Sequence, residues 1–175
     1  MKNKRIPIQE AIDSGAWLEA TFPEIDDFRV QNRTTTLVFR FKPKKLEKIN
    51  LGGIIDDPNV ETSSRKSLEF LLKFGSDANI WKLDLEIVNM EQYELRSDLF
   101  GELLCIQDER DNEFRNCKDH YLTLDSYYSE TSGLRNFFCS ELPPKVKKSG
   151  SFCFELPEFF EQLFITAKNG TIKEC

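Results

Sequence analysis

Residues 117–120 read Cys-Lys-Asp-His and hold the single histidine of this 175-residue chain. A thiol and an imidazole are the parts of an activated nucleophile and its base, and they are also two ligands of a zinc site. Both chemistries need the two side chains on one side of the backbone. Tyr121, Thr123, Tyr127 and Tyr128 follow closely, and such residues favour extended chain, so 113–125 is expected as a strand. Residues three apart in a strand leave opposite faces with about 10 Å of rise between them, so Cys117 and His120 could not share a proton. His120 would then lie with Leu122 and Leu124 and read as a structural, hydrogen-bonded histidine.

Other signatures are equally sparse. The five cysteines (Cys105, Cys117, Cys139, Cys153 and Cys175) include no Cys-x-x-Cys knuckle of the kind structural zinc uses. There is no Walker-type phosphate loop, no Gly-x-Gly-x-x-Gly, no His-Glu-x-x-His and no Gly-x-Ser-x-Gly. The reading therefore assigns no catalytic residue, no metal ligand and no cofactor. One enzymatic alternative stays open, in which Asp56, Asp57, Asp84 and Glu86 converge on a hard cation such as magnesium and serve a phosphodiesterase-type hydrolase.

Charge is more informative than motif. The formal net charge is −6, but ten acidic residues between Asp84 and Glu113 face only Arg96 and Arg110, a net of −8 that leaves +2 for the rest of the chain. Two basic clusters balance it: Arg40, Lys42, Lys44, Lys45 and Lys48, then Lys145, Lys147 and Lys148. Charge is thus segregated along the sequence. If Asp84 and Glu86 share an outward surface with Glu102 on a neighbouring strand and with the connecting Glu91, Glu94 and Asp98, they form one negative patch. Like charges on adjacent strands cost stability, and attraction of a basic partner would offset that cost.

The elements that must position these residues follow from periodicity. Alternation in 33–42 puts Leu37, Phe39 and Phe41 on one side of a strand, and alternation in 80–90 does the same for Trp81, Leu83, Leu85 and Ile87. A short helix is expected from Pro7 to Ser14 with Gly15 at its C-terminus, and Trp17, Leu18 and Phe22 follow as anchors. A second helix is expected near 63–75, where Leu68, Leu71 and Leu72 share a face. A third is expected near 157–169, with Phe159, Phe160, Leu163, Phe164 and Ala167 docked on the sheet before Gly170 ends it. Between these, 99–128 reads as a long hairpin turning at Asp108 to Asn112, and 134–142 and 151–156 as a further strand pair. The expectation is a single α+β domain over 1–175, with a mainly antiparallel sheet of about five to seven strands and a Phe-rich core.

The start MKNKRIPIQEAIDSG lacks the apolar run of a signal peptide, and no stretch approaches the roughly twenty apolar residues that span a bilayer. A cytoplasmic protein with reduced thiols and no membrane contact is expected. The charge pattern implies a non-enzymatic, acidic binding protein that engages and neutralises a basic protein partner, as immunity proteins and antitoxins do with toxins or nucleases. Its partner-binding residues would be Asp84, Glu86, Glu91, Glu94, Asp98 and Glu102. A nucleic-acid-binding module built on the two basic clusters, with Phe39, Phe41 or Tyr127 stacking on bases, ranks third, because a sequence pI near 5.0 disfavours it.

Overall fold

The computed structural model describes residues 5–23, 25, 36–48, 80–96, 98–114 and 141–175. In chain order its elements are β1 (Ile6–Pro7), α1 (Ile8–Ser14), β2 (Leu18–Phe22), β3 (Leu37–Lys48), β4 (Ile80–Asn89), β5 (Leu95–Arg96) and α2 (Asp98–Leu103). They continue with β6 (Leu104–Asp108), β7 (Glu113–Phe114), β8 (Glu141–Leu142), β9 (Lys147–Glu155), β10 (Leu163–Ala167) and β11 (Thr171–Glu174).

The two segments with the clearest alternation, β3 and β4, pair antiparallel at the middle of a five-stranded sheet ordered β11-β2-β3-β4-β9. Their inward side chains Leu37, Phe39, Phe41, Leu83, Leu85 and Ile87 are fully buried, joined by Leu18, Ala20 and Phe22 of β2. A second sheet, ordered β1-β10-β6-β7, lays Leu163, Ile165, Leu104 and Ile106 into the same apolar cluster. Two-sided burial against a facing sheet is what makes each alternating strand stable, since a lone amphipathic sheet leaves its apolar face wet. Phe39 sits at the centre, stacked on Phe22 at 5.6 Å and meeting the edge of Phe100 from α2 at 4.3 Å. Offset and edge-on contacts of this kind add to the area they bury.

Pro43 explains a local irregularity. Lacking an N–H, it cannot bond on both sides of an internal strand, and the register slips there, so that Pro43 faces Leu85 but Lys45 faces Asp84. The helix α1 stands where Pro7 and Gly15 punctuate the sequence. Gly15 takes the left-handed conformation, φ 64°, and its N–H bonds Ala11 and Ile12 carbonyls.

The class expectation is corrected. The described residues form antiparallel sheets with two short helices, not an α+β domain with N- and C-terminal helices packed on a sheet. The decisive segment is 157–169. It contains no helix: residues 157–162 are irregular, and Leu163–Ala167 is strand β10, paired with both β1 and β6. The helical spacing of Phe159, Phe160, Leu163, Phe164 and Ala167 was real but misleading. Phe159 is 83% exposed, and Phe164 lies under the Arg5 guanidinium at 4.1 Å, outside the apolar cluster. The competing period of two in Leu163, Ile165 and Ala167, with β-branched Ile165 and Thr166 between, prevails because β6 supplies a partner edge. Asn169 and Gly170 then turn the chain out of one sheet and into β11 of the other; Asn169 has φ 58°.

Two further corrections concern pairing. Residues 98–103 are helical, not the start of a strand, and the hairpin is β6–β7, with Ile106 opposite Phe114. Strand β9 pairs along its whole length with β4, whereas Glu141 and Leu142 pair with β5. The helix expected near 63–75, the strand holding Cys117 and His120, and residues Asp56, Asp57 and Tyr127 lie outside the described residues.

Candidate functional site

Acidic β4 runs between basic β3 and basic β9. Glu86 has Lys42 opposite it on one side and Ser149 on the other, and Lys147 pairs with Val88 two residues along. Glu86 consequently meets Lys44 at 3.1 Å and Lys147 at 3.2 Å, one lysine from each basic cluster. Asp84 accepts from Ser151 Oγ at 2.8 Å and pairs with Lys82 at 3.2 Å; Lys82 is 3% exposed and also reaches Glu47 at 3.3 Å. Toward the other edge Glu19 pairs with Arg40 at 3.0 Å and Lys173 at 3.3 Å. Charge that is segregated along the chain is therefore interleaved in space.

The titration tendencies follow. The Lys44 hydrogen bond, helped by Lys147, holds Glu86 below the ordinary glutamate range, and the Arg40 hydrogen bond does the same for Glu19. Burial pushes Glu47 up, but hydrogen bonds from Lys45 and Lys82 outweigh it and leave it lowered. Phe39 and Phe41 face the core with 0% exposure, so they offer no stacking platform to a base.

The six expected partner-binding residues do not form one face. Asp84 and Glu86 lie in the ion-paired sheet surface just described. Glu91 accepts the Val38 N–H at 2.7 Å beyond the end of β4. Asp98 and Glu102 belong to α2 rather than to a strand beside β4; Glu102 is exposed, and the Asp98 side chain is outside what is described. Glu94 stands apart from the rest. Its carboxyl hydrogen-bonds that of Glu141, which together with burial and charge repulsion raises its pKa above the ordinary value. Arg96 lies opposite Glu141 in the β5–β8 register.

This acid pair is positioned by a buried amide. Asn89, 0% exposed, closes β4 with its Nδ2 donating to the Tyr93 carbonyl at 2.8 Å and the Leu142 carbonyl at 2.9 Å, while its Oδ1 accepts from the Glu91 N–H at 2.8 Å. The Asn89 carbonyl accepts from the Lys145 N–H at 2.8 Å, and Lys145 Nζ donates to the Met90 carbonyl at 2.6 Å. These bonds tie β5 and β8 to the end of β4. In consequence Leu95 opposes Leu142 and Arg96 opposes Glu141, and the Glu94 carboxyl comes diagonally to that of Glu141. Sequence reasoning missed Glu141 and Asn89, because the β5–β8 pairing and the Asn89–Leu142 bond join residues some fifty positions apart. The only local signal was Asn89 itself, a polar residue at the inward phase of an apolar alternation.

Among the described residues no group of three histidine, cysteine, aspartate or glutamate side chains could hold a metal ion, and no helix is long and apolar enough to cross a membrane. Cys105 is buried and Cys175 exposed, and both are free thiols.

No family model and no curated protein matches this chain. Among solved structures it is similar to the secreted protein MPT63 from Mycobacterium tuberculosis, with a TM-score of 0.44 and 9% identity over 79% of this chain and 84% of that one. It is also similar to the yjhA protein from Bacillus subtilis (TM-score 0.40, 13% identity, 74% and 71% of the two chains). A conserved hypothetical protein from Bacillus anthracis gives a TM-score of 0.39 and 15% identity over 82% and 96%.

Proposed function

We propose that this chain is a non-enzymatic, cytoplasmic binding module that engages a basic protein through the end of the sandwich where Glu94 and Glu141 meet. The observation that carries this reading is the adjacency of two exposed carboxylates, Glu94 and Glu141, with Arg96 opposite Glu141, beside a sheet on which Glu19, Glu47, Asp84 and Glu86 are ion-paired. Holding like charges together costs stability, and a lysine or arginine of a partner placed between them would remove the cost. The net charge of −6 adds long-range attraction for the same class of partner. Two free thiols accord with a reducing compartment. Inhibition of a toxin or nuclease, in the manner of immunity proteins and antitoxins, is the specific form proposed. On this reading Asp84 and Glu86 serve the sheet rather than the partner.

The test begins with affinity purification from the source cells and continues with association kinetics on the purified partner. Reversal of both acids, Glu94→Lys with Glu141→Lys, is expected to lower the association rate by about tenfold or more at low ionic strength, with the two proteins converging as salt rises. An unchanged rate at low salt, or a partner that is itself acidic, rejects the reading.

A further inference from the structure

Leu156 and Leu163 are both buried, at 4% and 5% exposure, and the six residues between them, Pro157 to Gln162, run across the surface without regular structure. An aromatic contact and a carboxylate bridge tether this loop. Phe160 meets Trp81 edge-on at 5.4 Å. The Glu109 carboxylate reaches across from the β6–β7 turn and accepts the backbone N–H groups of Glu161 at 3.1 Å and Gln162 at 3.4 Å. A loop secured at both ends, by one ring and by two amides has little freedom left to lose.

What it displays is Phe159, which is 83% exposed. Val146, at 43%, is the one other exposed large apolar side chain among the described residues. Folding places one of two adjacent phenylalanines against Trp81 and sends the other into water. Exposed Glu158 precedes the pair and exposed Glu161 follows it. An exposed aromatic on a tethered loop, flanked in sequence by acids, has the composition of an interface anchor, in which the ring fills a desolvated pocket and the charges select the partner around it.

We infer that Phe159 is the anchor of a protein-docking surface, inserting into an apolar pocket of a partner whose rim carries lysine or arginine to meet Glu158 and Glu161. The choice of occupant rests on charge complementarity. A second copy of this acidic chain would bring like charges together, and an anionic membrane surface would repel both glutamates. The basic character of the partner rests on the reading proposed above; the role of Phe159 as anchor does not.

The experiment places the photoreactive analogue p-benzoyl-phenylalanine at position 159 of the full chain in the source cells, with Lys168, also exposed, as the control position. The protein captured at 159 is purified, and its Kd is measured for the natural chain, Phe159→Ala, Glu158→Lys with Glu161→Lys, and Glu94→Lys with Glu141→Lys. A basic partner whose Kd rises about 30-fold or more on Phe159→Ala, with thermal stability unchanged because the ring is already in water, supports the inference. Capture no stronger than at Lys168, an adduct with a second copy of this chain, or a Kd that ignores Phe159→Ala overturns it. If reversal at Glu94 and Glu141 weakens binding and Phe159→Ala does not, the basic-partner reading stands and the anchor fails. If the partner is acidic yet Phe159→Ala weakens its binding, the anchor stands and that reading fails.

Discussion

Replacing Asn89 by alanine removes the device that joins the small β5–β8 pair to the large sheet. Three hydrogen bonds go with it: two donated to the Tyr93 and Leu142 carbonyls and one accepted from Glu91. The bond to Leu142 is fully buried, and Leu142 itself is 0% exposed, so water cannot replace the amide there without opening the packing. The other two are part-buried and more readily rescued by solvent. At a net of about 1 kcal/mol per bond, with more for the buried carbonyl left unpaired, the loss sums to about 3 kcal/mol. Urea unfolding followed through half-buried Trp17 and Trp81 reads it directly. With m of about 2–3 kcal/mol/M the midpoint falls by about 1–1.5 M, and for a chain of this size the melting temperature drops by about 6–12 °C. Asn89→Asp sharpens the test. A carboxylate can still accept from Glu91, but its other oxygen faces two carbonyl oxygens with no proton to give. At neutral pH it is expected to destabilise at least as much as alanine, and to recover on acidification as the carboxyl regains a donor. A loss under about 1 kcal/mol for Asn89→Ala, or wild-type stability for Asn89→Asp at neutral pH, would refute the assignment of this amide as the organising bond donor.

Further expectations concern packing and titration. A Cβ added at Gly170 would lie 2.5 Å from Phe22 Cδ1 and 2.6 Å from the Thr21 carbonyl oxygen, so Gly170→Ala must displace a core ring or a strand. It is expected to cost about 1–3 kcal/mol by denaturant titration, and a neutral result would contradict the described packing of the β10–β11 turn. Glu19, Glu86, Asp108 and Glu109 all have lowered pKa values in the folded state: Arg40 acts on Glu19, Lys44 on Glu86, the Asn112 side chain on Asp108, and backbone N–H groups on Glu109. Their stabilisation is complete above the ordinary carboxylate range and is lost as pH falls through the lowered folded values, below about pH 4. Thermal melts from pH 6 downward should therefore show a decline concentrated at that acid end, smaller in Glu86→Gln. Glu94 has the opposite sign, since a raised folded value means its contribution is present at low pH and lost as pH rises through that value. Glu94→Gln should raise the melting temperature at pH 7, with the advantage over the natural chain shrinking on acidification; a lower melting temperature at pH 7 would contradict the like-charge contact.

Local chemistry was legible where it acts locally. Alternation in 37–41 and 81–87 depends on the pleat alone, and those residues became the paired centre of the large sheet. Pro7 and Gly15 bound a helix by removing a donor and permitting a positive φ, properties of single residues. The helical reading of 157–169 failed because spacing admits two periods there. The choice fell to β6, an edge some sixty residues away in the chain, which offers backbone partners only once the sheet exists.

The candidate site divides in the same way. The sequence alone determined how many carboxylates there are and that those of 84–113 cluster along the chain, along with the Phe-rich supply of the core. Tertiary structure decided their neighbours. By laying β3 and β9 on either side of β4 it matched Glu86 to Lys44 and Lys147 and Asp84 to Ser151, and by pairing β5 with β8 it set Arg96 opposite Glu141 with Glu94 alongside. Coulomb energy depends on distance in space, and strand register sets that distance.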